Sequence, residues 1–170
     1  MKLPCIFLDR DGVINHDPGT YVHETAKFLL IEGVAESLKQ LKDAGFLLVV
    51  VTNQAGIAKG LYTAQDVLQC HALLQEQTGH IVDELYFSPY HPDYTASLGR
   101  KPGSLLFEKA IAKFGIDPAK SWMLGDRDRD LEPAKKLGMQ TIGIGPGPFA
   151  MADFLADSLA DATQRLILKK

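Results

Sequence analysis

Three runs, "CIFLD", "FLLVVVTN" and "SWMLGD", constrain this chain most: each is apolar almost without interruption and then ends in polar residues. A strand with one wet face alternates apolar and polar side chains, whereas a strand that is apolar throughout is covered on both faces. "ELYFSP", "MQTIGIG" and a short extended piece near the C-terminus add further strands. Between them lie segments with helical spacing. "GVAESLKQLKDAG" puts Val34, Leu38 and Leu41 on one face and closes at Gly45. "TAQDVLQCHALLQEQTG" opens on Thr63 with Asp66 three residues later, a box-like cap. "SLLFEKAIAKFG" follows Ser104 as N-cap, "LEPAKKLG" places Pro133 in a first turn, and a terminal helix starts after Ser158. Alternating strands and helices of this kind predict an α/β fold: a Rossmann-like parallel sheet with helices on both faces.

The chain, residues 1–170, is expected to form a single domain, and its 46% hydrophobic and 23% charged residues are an ordinary globular balance. A net charge of -3 provides no basic field for nucleic acid, so an anionic ligand must be met by local cations. Cys5 and Cys70 form no CxxC and no disulfide framework. No apolar run reaches the roughly 18 residues of a membrane span, and the N-terminus lacks a signal-peptide core. The expectation is a cytoplasmic protein, monomeric, with no nucleic-acid or membrane partner. Two stretches lack periodicity, residues 12–32 and "SPYHPDYTASLGRKPG", and both are candidate functional loops.

In an open parallel sheet, ligands bind beyond the carboxyl ends of the strands. The first strand ends in Asp9 and Asp11, the second in Thr52, Asn53 and Gln54, and the fourth in Gly125 and Asp126 followed by "RDRD". Arg100 and Lys101 lie between the third strand and its helix. Acids delivered by separate strand ends repel one another unless a cation joins them. Oxygen ligands with no His or Cys favour a hard ion, Mg²⁺ in the usual case. A lysine and a threonine hydroxyl complete a phosphate cradle, and phosphoryl transfer needs chiefly positioning and charge neutralisation. One carboxylate can attack phosphorus while a second acts as general acid and base.

Each piece also has a plainer explanation. Asp9 and Asp11 suit a turn, Thr52 and Asn53 a strand end, and Arg100 and Lys101 a solvated loop. Asp128 and Arg129 are read here as a solvated turn. His16, His71 and His80 are read as surface or helix residues. His23 is left between loop hydrogen bonding and substrate contact, and Trp122 is read as core.

Taken in order, "DRDGV", "VVVTN", Lys101 and "GDRDRD" resemble the four motifs of the haloacid dehalogenase-like phosphatases. The resemblance implies Asp9 as nucleophile, Asp11 as general acid/base, Thr52 and Lys101 at the phosphoryl group, and Asp9, Asp11 and Asp126 around Mg²⁺, with Asp130 in support. "IFLDRDGVIN", "YVHE", "VVVTNQAGIAKG" and "RKP" are more closely similar to the D-glycero-D-manno-heptose 1,7-bisphosphate 7-phosphatases of heptose and lipopolysaccharide biosynthesis, and more distantly to histidinol-phosphate phosphatases. That likeness implies a phosphorylated sugar as substrate. It puts Asp17, Gly19 and Tyr21 near the sugar and Asn53 and Gln54 around the reacting phosphate. Arg100 falls on the sugar or distal phosphate, and Arg127 beside the metal.

The family's zinc loop is altered here. Ser88, Tyr90, Ser97 and Gly99 stand at its ligand positions, so no zinc is expected. The loop is expected to be held by packing of Tyr90, Pro92 and Tyr94. The insertion between the first two motifs is too short for a folded cap, so no large cap domain is expected. Histidinol phosphate, a polynucleotide 3′-phosphate, and a binding module without turnover remain as alternatives.

Overall fold

A computed structural model describes residues 2–169. Six strands form one sheet: β1 (Cys5–Leu8), β2 (Leu47–Asn53), β3 (Glu84–Ser88), β4 (Trp122–Gly125), β5 (Gln140–Ile144) and β6 (Phe154–Ala156). Their spatial order is β3-β2-β1-β4-β5-β6, and every neighbouring pair is parallel. Five α-helices are α1 (Val34–Asp43), α2 (Ala64–Thr78), α3 (Leu105–Phe114), α4 (Asp128–Lys136) and α5 (Leu159–Ala162).

The apolar runs are buried on both faces because successive side chains point to opposite sides of a strand. On β1, Ile6 and Leu8 join a core with Leu38 and Leu41 of α1, Leu74 of α2 and Leu159 of α5. Cys5 and Phe7 enter a second core on the opposite face, with Phe107 of α3 and Leu131 of α4. Each fully buried side chain of this size contributes about 1.5–3 kcal/mol of burial free energy. Both cysteines are free and buried.

The Thr63–Asp66 cap is reciprocal: Thr63 Oγ1 accepts from Asp66 N at 3.3 Å, and Thr63 N donates to the Asp66 carboxylate at 2.7 Å. Ser158 likewise accepts from Asp161 N. Ser104 occupies the N-cap of α3, but its hydroxyl donates to Glu108 instead of capping a backbone amide. The helix containing Pro133 begins earlier than its apolar spacing predicts, at Asp128, which places Pro133 inside the helix and not in its first turn. Asp130 accounts for the shift, since its Oδ2 accepts from Arg127 N at 3.1 Å and satisfies an amide at the helix start. Asp128 is not a free solvated residue either: its carboxylate accepts from the backbone amides of Ala150 and Met151.

Between β1 and α1 the only regular structure is a short 3₁₀ turn at Thr25–Lys27, so no cap domain is inserted there. No helix among the described residues is long and apolar enough to cross a membrane.

Candidate active site

Two central strands, β1 and β4, end side by side, and Asp9 N donates to Leu124 O at 3.0 Å where they do. This carries Asp9, one residue past β1, next to Asp126, one residue past β4. Carboxylate oxygens of Asp9, Asp126 and Asp130 lie within 4.8 Å of one another, the only such group of three among the described residues. Two glycines allow the approach. A Cβ on Gly12 would sit 2.7 Å from Asp126 Oδ2, and one on Gly125 would sit 2.5 Å from Asp130 Cβ.

Lys101 enters from the loop before α3 and is fully buried. Its ammonium donates to Asp9 Oδ1 at 2.8 Å and to Val51 O at 2.6 Å. Asp130 Oδ1 is also 2.8 Å from it but lies off the hydrogen-bonding direction, so that contact is ionic. Burial alone would lower the lysine pKa; the charges of Asp130 and Asp9 outweigh it and raise the value. Asn53 fixes the loop by clamping the Lys101 backbone, accepting from its N–H at 3.0 Å and donating to its carbonyl at 3.1 Å.

One lysine does not balance three clustered acids. Burial, then the charges of Asp9 and Asp130, push the Asp126 carboxyl from 3.8 up to about 7, and the buried Asp130 is raised by burial and then by the charge of Asp9. An all-oxygen cluster with an excess of negative charge fits a hard divalent cation. The trio is Asp9, Asp126 and Asp130, and the Asp11 side chain is not part of it. Asp11 is bound instead by Arg10 (2.9 Å), Asn15 (2.9 Å) and Gln54 (3.2 Å).

A cleft of about 370 Å³ opens over these groups. Of the residues expected at the site, Asp9, Asp11, Asp17, Gly19, Tyr21, Thr52, Asn53, Gln54, Lys101, Asp126, Arg127 and Asp130 line it. Arg127 lies 3.6 Å from Asp17 and 3.7 Å from Asp126, joining the substrate-side loop to the acid cluster.

Arg100 is not among the lining residues; its guanidinium donates to Tyr90 O at 3.0 Å. Arg129, read from sequence as a solvated turn residue, does line the cleft. His23 stacks on Tyr62, with ring centroids 4.9 Å apart and planes 7° from parallel. Tyr62 belongs to none of the sequence motifs, yet its hydroxyl donates to the cleft residue Gln54 at 2.7 Å. The available signal was a tyrosine inside the Gly-rich turn "AGIAKGLYT", where a buried hydroxyl must find a partner.

Within the loop before Arg100, Tyr94 meets His91 edge-on with ring centroids 5.9 Å apart, but this contact does not bury it. Tyr90, Pro92 and Tyr94 are all exposed. Backbone bonds hold the loop instead: Ala58 N to Pro89 O, Leu105 N to Leu98 O and Gly103 N to Arg100 O. The sequence offered no view of this, because backbone closure leaves little trace in residue type.

Residues 98–165 match the HAD hydrolase-like family. The D-glycero-beta-D-manno-heptose-1,7-bisphosphate 7-phosphatase of Haemophilus ducreyi is 43% identical over 150 residues, covering 83% of this chain and 82% of that protein. The enzyme of the same name from Pasteurella multocida is 41% identical over 174 residues, covering 92% and 93%. In fold, the chain is similar to a D,D-heptose 1,7-bisphosphate phosphatase from B. bronchiseptica crystallised with magnesium and phosphate. That similarity has a TM-score of 0.85 at 24% identity and covers 95% of this chain and 96% of that one. Sheet order, strand-end acids and buried lysine are thus those of a phosphatase of the haloacid dehalogenase-like class. Within that class the chain belongs to the D-glycero-D-manno-heptose-1,7-bisphosphate 7-phosphatase family.

Proposed function

We propose that the protein is a Mg²⁺-dependent phosphomonoesterase that removes the 7-phosphate of D-glycero-D-manno-heptose 1,7-bisphosphate through a phosphoryl group carried on Asp9. The observation that carries the reading is the convergence of Asp9, Thr52, Lys101 and the acid cluster on one cleft.

Lys101 holds Asp9 Oδ1, and no donor among the described residues reaches Oδ2, which leaves that oxygen free to attack. Attack forms the Oδ2–P bond and breaks the bond from phosphorus to the sugar C7 oxygen. Asp11 gives its proton to that leaving oxygen, then takes one from the water that attacks the aspartyl-phosphate, so inorganic phosphate leaves and both acids return to their starting forms. Thr52 Oγ1 accepts from Gln54 at 3.0 Å, so its own proton is free for a phosphoryl oxygen. Asp9 and Asp126 are the residues that would hold Mg²⁺, with Asp130 beside them. When bound, the ion supplies the positive charge that lets the acids and the phosphate share the cleft.

Names of the relatives support the heptose substrate, and Arg127, Arg129 and Arg100 provide cations around or beside the cleft for a second phosphate. The test is phosphate release with Mg²⁺ from a panel holding heptose 1,7-bisphosphate, histidinol phosphate and p-nitrophenyl phosphate. Heptose bisphosphate is expected to exceed the others in kcat/KM by about tenfold or more, the gain from one charge-assisted contact. Preference for histidinol phosphate would overturn the substrate assignment, and release from none of them would favour a binding module.

A further inference from the structure

Gln54 is almost wholly buried, and its amide sits between three polar groups. Nε2 donates to Asp11 Oδ2 at 3.2 Å and to Thr52 Oγ1 at 3.0 Å. Oε1 accepts from Tyr62 OH at 2.7 Å. A primary amide can turn end for end at little steric cost; the Asp11 carboxylate, which accepts, selects the Nε2 end, and the opposite end must be secured as well. Only a donor can do so from the Oε1 side.

Tyr62 is built into that place. A Cβ on Gly56 would lie 2.1 Å from Tyr62 Cε1, so the ring occupies space that only glycine leaves open. Leu61 N donates to Gly56 O at 3.0 Å and closes the turn that delivers the ring. His23 covers one face of the ring, and Tyr21 packs against it at 5.7 Å. The phenol remains a donor across the working range, since burial pushes it up to about 12 despite the opposing charge of Arg10.

We infer that Tyr62 is a positioning residue for phosphoryl transfer: its hydroxyl secures the polarity of the Gln54 amide, which in turn aims the Thr52 proton into the cleft and holds the Asp11 carboxylate. The donors run one way, from Tyr62 to Gln54 to Thr52, and such chains strengthen each of their members. With the phenol hydroxyl removed, Oε1 loses its buried donor, and the amide can tilt so that Oε1 accepts from the Thr52 hydroxyl, the nearby group able to donate. The Thr52 proton would then be drawn back to Gln54 and away from the phosphoryl oxygen. The inference rests on the roles assigned above to Thr52 and Asp11, and it is independent of which ester is the natural substrate.

The test is a double-mutant cycle on p-nitrophenyl phosphate with saturating Mg²⁺, using Tyr62→Phe, Thr52→Val and the double variant, each first checked for folding by thermal unfolding. Tyr62→Phe is expected to lower kcat about tenfold with KM within about twofold, since the lost alignment matters in the transition state. In the Thr52→Val background the same change is expected to cost clearly less than in the wild type, because one of the two groups it acts through is gone. Losses that multiply, or a Tyr62→Phe variant with unchanged kcat, would overturn the inference. Turnover that survives Asp9→Asn would overturn the underlying site assignment on its own. The two failures are therefore told apart.

Discussion

Lys101 Nζ lies 2.8 Å from Asp9 Oδ1, although 92 positions separate the two residues in the chain. The pair is buried, and Asp130 shares the ammonium. Lys101→Met should therefore do two things. It should abolish turnover, and it should destabilise the metal-free protein by about 3–5 kcal/mol, because two carboxylates lose their buried counter-charge. Urea unfolding in EDTA measures the second effect. A loss below about 1 kcal/mol would show that the acids do not depend on the lysine.

Asp126 carries a pH signature. Its carboxyl is pushed from 3.8 up to about 7 by burial and then by Asp9 and Asp130. With the folded pKa raised, the folded chain keeps a proton that the unfolded chain releases. The stability this contributes is complete below about pH 4 and is lost as pH rises through about 7. Metal-free protein should accordingly show a falling Tm across that window. Saturating Mg²⁺ should restore Tm at about pH 8, and its affinity should weaken below about 7 as protons compete. A Tm at about pH 8 that ignores Mg²⁺ would contradict the acid cluster as a metal site.

Gly12 adopts φ +82, and a Cβ there would meet Asp126 Oδ2 at 2.7 Å. Gly12→Ala should strain the turn and displace the Asp126 carboxylate. Apparent Mg²⁺ affinity should drop about tenfold or more, the usual scale for disturbing the support of a metal ligand. Titration of activity against Mg²⁺ measures it, and an unchanged half-saturation would remove Asp126 from the metal.

Arg100 presents a sharper choice, because its guanidinium bonds to Tyr90 O and does not line the cleft. If it reaches the sugar or second phosphate when substrate binds, Arg100→Ala should cost about ten- to a hundredfold in kcat/KM on heptose bisphosphate and little on p-nitrophenyl phosphate. Equal losses on both would assign it to holding the loop through Tyr90.

Much of this was legible from sequence because it depends on patterns that buried structure enforces. "FLLVVVTN" could only be a strand covered on both faces, and its end had to deliver Thr52 to the binding edge. The less legible parts depend on single contacts across the fold. Asp130 starts α4 at Asp128 through one hydrogen bond to Arg127 N, which the charge-rich "DRDRD" concealed. Asp11 sits one residue from its buried partner Arg10 and four from Asn15, yet nothing in the order of residues says that its carboxylate bonds to both. Tyr62 matters through a partner eight positions away and a missing Cβ at Gly56, neither of which has a periodicity to read.

In the proposed reaction Asp9 carries the phosphoryl group from the 7-position of the sugar. A ³¹P NMR time course of heptose 1,7-bisphosphate with Mg²⁺, run on the wild-type protein and on Asp9→Asn, tests it most directly. The account predicts loss of the 7-phosphate signal with retention of the 1-phosphate in wild type, and no change with a folded Asp9→Asn variant, since a neutral amide cannot attack phosphorus. Turnover by Asp9→Asn within about tenfold of wild type, or release of the 1-phosphate first, would contradict it.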